Sequence, residues 1–173
     1  MRYVELRRHT DNTGDELTPQ GIADAGAIGR DRLHPPYAAF VSTGAGRATQ
    51  MLEILRGAVH QDDVPITEAT DLRSSVEDRW REASSAAGKG ADLEAIRTVD
   101  PELVERDSSV LGLALHRVFE AFGEGDRALV VGHSPFNEAA VLGLTGQVIP
   151  PLGKGEGVLI VEEADSFRTE PLP

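Results

Sequence analysis

The sequence predicts an α/β fold, a three-layer sandwich whose mainly parallel central sheet is flanked by helices. Short apolar runs alternate with segments of helical periodicity along the chain, the order expected of strand–helix–strand units. One late run, residues 127–131, is apolar from Ala128 onward, as suits a strand buried on both faces. Three polar clusters fall just after expected strands, at the edge where open α/β sheets place their ligands.

Tyr3-Val4-Glu5-Leu6 reads as the first strand and ends in Arg7-Arg8-His9. Thr18 and Pro19 mark a helix start: Thr18 can cap the first turn, and Pro19 sits where a missing N–H costs nothing. That helix runs to about Leu33, before Pro35-Pro36. Residues 38–41 form a second strand. Ala48, Met51, Leu52 and Leu55 recur at helical spacing, so Gly44-Ala45-Gly46 is a strand-to-helix turn. Val64-Pro65-Ile66 is a weaker third strand, and the polar, Ser- and Ala-rich residues 70–100 predict short helices and a loop. From Ser109 the helical period returns, with Leu111, Ala114, Leu115, Val118 and Phe122 on one face. The apolar strand at residues 127–131 follows, and Gly132-His133-Ser134-Pro135 opens another helix. Residues 157–161 and 167–170 close the chain as a strand pair around Ala164-Asp165-Ser166. No repeat or linker divides the chain, so residues 1–173 are expected to form a single domain.

A chain of 173 residues can bury roughly 70% of the surface its unfolded form exposes. With 17 Lys and Arg against 29 Asp and Glu the net charge is -12. Nucleic acid and anionic membrane surfaces are held by clustered cations, so neither is an expected partner. Zero Cys excludes disulfides, thiolate metal sites and cysteine nucleophiles. Charges at Arg2, Glu5, Arg7 and Arg8 deny residues 1–9 the apolar run of a secretory signal, and no apolar stretch approaches the ~20 residues of a spanning helix. A soluble, cytoplasmic protein is expected.

The three clusters carry the chemistry. Arg7-Arg8-His9-Thr10 follows the first strand, Ser42-Thr43-Gly44-Ala45-Gly46-Arg47-Ala48 the second, and Gly132-His133-Ser134-Pro135 the strong late strand. Together they offer two imidazoles and at least two guanidiniums to one crevice. Guanidinium forks match phosphate oxygens, and a helix N-terminus adds N–H donors, so the expected ligand is a dianionic phosphoryl group. Cations around a neutral imidazole pull its pKa down and keep a ring nitrogen free for in-line attack on phosphorus. Arg47 at a helix start opposes the helix dipole and makes sense there if an anion is bound. His34, His60 and His116 lack such neighbours and are expected at the surface.

At these residues the sequence resembles the histidine phosphatase superfamily, which includes the phosphoglycerate mutases and acid phosphatases. Arg8-His9-Thr10 stands in place of that family's Arg-His-Gly, residues 43–48 in place of Ser-x-x-x-Arg-Ala, and Gly132-His133 in place of its late Gly-His. Leu17-Thr18-Pro19-Gln20-Gly21 is similar to the Leu-Thr-x-x-Gly that opens the family's first helix. Chain length, the Gly-His-x-Pro form and Ile149-Pro150-Pro151 look most like the short phosphohistidine phosphatase branch.

The resemblance implies catalysis by His9, Arg8, Arg47 and His133. His9 would be the nucleophile that forms a phosphohistidine intermediate, and Arg8, Arg47, His133 and Thr10 would form the phosphate pocket. It implies no metal and no other cofactor. The implied partner is a phosphorylated small molecule or a phosphohistidine protein. Two departures stand out. Thr10 replaces the usual Gly and puts a Cβ and hydroxyl beside the phosphate. The Leu-x-Glu or Leu-Glu acid of larger relatives has no match in Asp71-Leu72-Arg73, leaving Glu68, Asp71 and Glu77 as candidate proton donors.

Other readings are weaker. Gly132-His133-Ser134-Pro135-Phe136 approaches a serine nucleophile elbow, but Pro135 has no N–H to serve as oxyanion donor and Phe136 replaces the last Gly. Gly44-Ala45-Gly46 could open a dinucleotide fingerprint, yet Thr49 occupies the third small position. The remaining alternative is a phosphoryl-binding module of the same fold with impaired turnover.

Overall fold

A computed structural model describes residues 1–172. The chain begins with β1 (Arg2–Arg8), then a two-stranded hairpin of β2 (Asn12–Thr13) and β3 (Glu16–Leu17), and α1 (Pro19–Asp31). β4 (Ala39–Ser42), α2 (Gly46–Ala58) and β5 (Ile66–Glu68) follow. A single 3-10 turn (Thr70–Leu72) leads to α3 (Glu77–Ala87), α4 (Leu93–Val99) and α5 (Pro101–Glu120). The chain closes with β6 (Arg127–Gly132), α6 (Phe136–Thr145), β7 (Gly157–Glu163) and β8 (Ser166–Pro171). No helix among the described residues is long and apolar enough to cross a membrane.

The six-stranded sheet has the order β5-β4-β6-β1-β7-β8. β5, β4, β6 and β1 run parallel, and β7 and β8 add antiparallel strands beside β1. β6 lies at the centre and shows why the architecture has three layers. Ala128 and Val130 pack into the core shared with α3, α4, α5 and α6, whereas Leu129 and Val131 pack into the core shared with α1 and α2. A strand covered on both faces needs apolar residues at every position, which is what residues 128–131 supply.

Most expected elements are present, with corrections at specific ends. Thr18 caps α1, accepting from Gly21 N at 3.0 Å. Ala48, Met51, Leu52 and Leu55 are all fully buried on α2. The third strand starts at Ile66 rather than Val64, because Pro65 has no N–H to give a sheet ladder. The long helix starts at Pro101 rather than Ser109: Asp100 caps it by accepting from Leu103 N at 3.2 Å, and Pro101 takes the first position. Phe122 lies just beyond its end, partly buried against the same core. The β2–β3 hairpin has too few residues per strand to leave a period in the sequence.

α5 and α6 meet at a glycine contact. A Cβ on Gly143 would lie 1.8 Å from Ser108 O, and one on Gly112 would lie 2.6 Å from Gly143 C, so the helices approach each other backbone to backbone. Because this contact seats α6, and α6 starts just after His133, it also sets the site. Gly143→Ala is expected to destabilise the fold by about 2 kcal/mol or more through overpacking, read from urea unfolding. A loss below about 0.5 kcal/mol, the range of an ordinary surface change, would show that the contact tolerates a side chain.

Candidate active site

Strand order places the three clusters side by side. β6 pairs with β1 on one side and β4 on the other, with Arg8 opposite Gly132 and Ser42 opposite Val131, so the three carboxyl ends finish level. His9 N–H donates to Gly132 O at 3.1 Å, tying the residue after β1 to the end of β6. The His9 and His133 rings then stand edge to face with centroids 5.3 Å apart.

Hydrogen bonds fix which nitrogen of each ring carries the proton. His9 Nδ1 lies 2.8 Å from Thr10 O, and a carbonyl only accepts, so Nδ1 carries the hydrogen. His9 Nε2 therefore holds a lone pair, which accepts from Arg47 Nε at 3.3 Å. In His133 the arrangement is reversed. Nδ1 accepts from Arg47 Nη2 at 3.2 Å, and Nε2 donates to Thr43 Oγ1 at 2.7 Å. Both rings are neutral. Burial, with the charges of Lys154, Arg47 and Arg8, pushes His9 down to about 4, against a hydrogen bond to Thr10 that acts the other way. Burial, then Arg47 and His9, pushes His133 down to about 3.

The remaining residues divide into those around this pair and those elsewhere. Arg8 is half-buried and donates from Nη1 to Leu152 O at 2.8 Å, while its buried Nε has no hydrogen-bond partner among the described residues. Arg7 is buried and serves the fold, donating to Gly155 O at 3.2 Å and Arg32 O at 3.4 Å. Thr10 adjoins His9, but its hydroxyl turns to α1 and donates to Gly21 O at 2.7 Å, so it offers nothing to a phosphoryl group. Of the Thr10 expected in the phosphate pocket, the hydroxyl is thus turned away from the two rings. Its carbonyl instead sets the His9 tautomer. His34 and His60 are exposed, and His116 is half-buried beside Glu120.

A cavity of about 350 Å³ opens over His9 and His133, walled by Arg47, Arg73, Glu77 and Trp80 among others. Of the three candidate acids only Glu77 lines it. Glu77 takes Arg73 Nε at 2.7 Å and Arg73 Nη2 at 3.3 Å. Glu68 and Asp71 line a different cavity between β4, β5 and α5, and Asp71 pairs there with Arg117. Neither lines the cavity over His9 and His133, although Glu68 lies against Gly44 of the second cluster. The structure also brings in residues that sequence reasoning missed. Lys154, between Gly153 and Gly155, is placed near His9 because Gly155 N–H donates to Arg8 O at 3.1 Å and His9 O at 3.3 Å. Asp15 reaches Arg47 from the hairpin at 2.8 Å. Glu138, buried on α6 and pushed up to about 7 mainly by that burial, accepts from Ser134 Oγ. Asp15 lies two residues before the Leu17–Gly21 motif and Glu138 three residues after Gly132-His133-Ser134-Pro135, but none of the three residues has a spacing of its own that marks it.

No protein-family model matches the sequence, and no curated protein matches it either. Solved structures do match. Phosphoglycerate mutase from Bacillus anthracis superposes with a TM-score of 0.76 at 18% identity, covering 98% of this chain and 92% of the mutase. The chain has the histidine phosphatase fold. Phosphoserine phosphatase from Entamoeba histolytica, solved with 3-phosphoglyceric acid, gives a TM-score of 0.75 at 16% identity and covers 99% of this chain and 96% of its own. A SixA from Agrobacterium tumefaciens, named as a phosphohistidine phosphatase, gives 0.58 at 15% identity over 99% and 97% of the two chains. Within this histidine phosphatase fold, likeness does not single out the short phosphohistidine branch: the SixA score is the lowest of these three.

The neutral ring pair makes a direct prediction. Nitrogen NMR of the imidazoles is expected to show His9 as the Nδ1–H tautomer at pH 6, with no protonation until the pH nears 4. A His9 midpoint above pH 6 would contradict it. Unfolded, each ring takes up a proton near 6.5, whereas the folded rings hold out to about 4 and 3. The unfolded state then binds more protons in that window, so stability present above pH 6.5 is lost as the pH falls through it.

Proposed function

We propose that the protein is a phosphatase in which His9 takes the phosphoryl group from a phosphorylated substrate and water then removes it. One observation carries this reading: a buried, neutral imidazole whose Nε2 lone pair faces a second imidazole and a guanidinium fork. His9 Nε2 attacks phosphorus, an N–P bond forms, and the bond from phosphorus to the leaving group breaks with its electron pair. Water then attacks phosphorus, the N–P bond breaks, and inorganic phosphate leaves with His9 restored.

The surrounding groups have assignable parts in this scheme. The Nε and Nη2 edge of Arg47, which faces the two rings, is the planar fork that matches two phosphoryl oxygens. The unpartnered Arg8 Nε and the Lys154 ammonium add positive charge around His9. A dianion beside His133 favours its protonated form, turning Nδ1 into a further donor as charge gathers on the phosphoryl oxygens. The alternative of impaired turnover rests on Thr10 and on the missing acid, and of these the Thr10 hydroxyl is committed to Gly21 O rather than turned toward His9.

For the leaving group, Glu77 is the carboxyl in position, yet both its oxygens are engaged by Arg73. It must release Arg73 before handing over a proton. Phosphohistidine, whose imidazole leaves as a neutral ring once its other nitrogen takes a proton from solvent, and activated aryl esters, which leave as stable anions, demand least of a protein acid and are the proposed substrate class, ahead of alkyl phosphates.

The test is phosphate release from an aryl phosphate and from phosphohistidine peptides. His9→Ala is expected to abolish turnover with the fold retained, and substantial residual turnover would reject the assignment. Arg47→Lys is expected to lower kcat/KM by on the order of 10² to 10³, since a point charge does not reproduce a planar fork. A change below about threefold would place Arg47 outside the pocket.

Glu77→Gln is expected to slow alkyl esters at least about 10-fold more than aryl esters, the signature of a lost general acid. Glu68→Gln and Asp71→Asn are expected to leave that ratio unchanged. An unchanged ratio in Glu77→Gln would remove the assignment of Glu77 as donor.

A further inference from the structure

α2 begins without a cap of its own. Ala45 stands at the N-cap position and supplies no side-chain acceptor, and Arg47 in the first turn puts a cation at the positive end of the helix dipole. The missing anion comes from the hairpin. Asp15, in the turn between β2 and β3, accepts from Gly46 N at 2.9 Å, Arg47 N at 3.3 Å and Arg47 Nη1 at 2.8 Å. The hairpin is itself held on both sides. Leu17 N donates to Gln50 Oε1 of α2 at 2.9 Å, and Lys154 Nζ donates to Asn12 Oδ1.

The guanidinium of Arg47 is divided between these partners. Nη1 goes to Asp15, while Nε and Nη2 go to His9 and His133. Nε and Nη2 form one edge of the planar group, the edge that accepts a phosphoryl group bidentately. Nη1 lies off that edge, so a grip on Nη1 from behind aims the working edge without occupying it. The contact is built for close approach: a Cβ at Gly46 would sit 2.8 Å from both Asp15 O and Asp15 Oδ2. An isolated exposed ion pair would be worth little. Here the carboxylate is fixed by two backbone N–H groups as well, which together with Arg47 hold Asp15 below the usual carboxylate range, Gly46 N–H first.

We infer that Asp15 is a positioning residue for phosphoryl transfer, presenting the Nε/Nη2 edge of Arg47 to the His9–His133 crevice from a hairpin outside the main sheet. The inference rests on the phosphatase reading of the site. An aimed guanidinium matters most where charge develops, so its loss falls on kcat more than on KM.

The test uses the full chain with Asp15→Ala, Asp15→Asn and Gly46→Ala. Asp92→Ala serves as a control, since Asp92 caps α4 through Ala95 N at 2.9 Å and none of its contacts reach the site. On an aryl phosphate, Asp15→Ala is expected to lower kcat on the order of 10-fold while KM moves by less than about threefold. Asp15→Asn keeps an acceptor oxygen and is expected to restore most of that loss. Gly46→Ala keeps the carboxylate but displaces it, and is expected to reproduce the loss. Combining Asp15→Ala with Gly46→Ala is expected to be no slower than the worse single change, because both act through one contact.

A second readout needs no turnover. The Arg47 Nε–H signal in nitrogen–proton NMR, assigned by its disappearance in Arg47→Lys, is expected to broaden in Asp15→Ala and to stay sharp in Asp92→Ala. If the wild type releases no phosphate, the phosphatase reading fails while this signal still decides whether Asp15 holds Arg47. Should Asp15→Ala not fold, Gly46→Ala carries both readouts. An unchanged kcat in Asp15→Ala and Gly46→Ala, a multiplicative loss in the double variant, or an Arg47 signal indifferent to Asp15 overturns the inference.

Discussion

The site depends on keeping two imidazoles neutral inside a cationic crevice. Water and nearby anions would stabilise the protonated rings, and the fold supplies neither in quantity. His9 and His133 are 5% and 4% exposed; after burial, the charges of Lys154, Arg47 and Arg8 bear on His9, and those of Arg47 and Arg73 on His133, where Asp15 acts the other way. That environment has two effects at once. It frees Nε2 of His9 as a lone-pair donor, and it makes a dianion the ligand that best relieves the accumulated positive charge. An overall net charge of -12 sets this crevice apart from the rest of the surface.

The parallel centre of the sheet makes the crevice possible. Parallel strands end together at one edge, so β1, β6 and β4 deliver His9, His133 and the start of α2 to neighbouring positions although these are distant in sequence. The two helix layers fix the height of that edge. On one side the glycine contact between α5 and α6 seats the segment after His133, and on the other α2 carries Arg47 up from a face buried through Met51, Leu52 and Leu55. Antiparallel β7 and β8 extend the sheet beyond β1, and the loop before β7 brings Lys154 back over it.

What the sequence shows and what it hides follow from the range of each interaction. Strand β6 was legible because burial on both faces demands an unbroken apolar run, and α1 because Thr18 and Pro19 are local signals. His9, Arg47 and His133 were legible because each follows a strand that announces itself. Glu68, Asp71 and Glu77 read alike in sequence, and only the path of the chain after β5 separates Glu77 from the other two. The start of α5 is marked locally by Asp100 and Pro101, but it lies in a polar stretch where the helical period is not regular until Ser109. Asp15 and Lys154 carried no signal: one sits in a hairpin of two-residue strands, the other between glycines, and both act through contacts made only in the folded chain.

The central claim is that phosphorus passes through a covalent bond to His9 Nε2. The most direct measurement is rapid mixing of the wild-type protein with a phosphorylated substrate, quenching in alkaline denaturant, and location of the phosphoryl group by mass spectrometry. The account predicts a phosphoramidate on His9 that forms no more slowly than turnover, survives alkali and is lost in acid. Turnover without any such species, or a phosphoryl group carried by another residue such as Ser134, would contradict it.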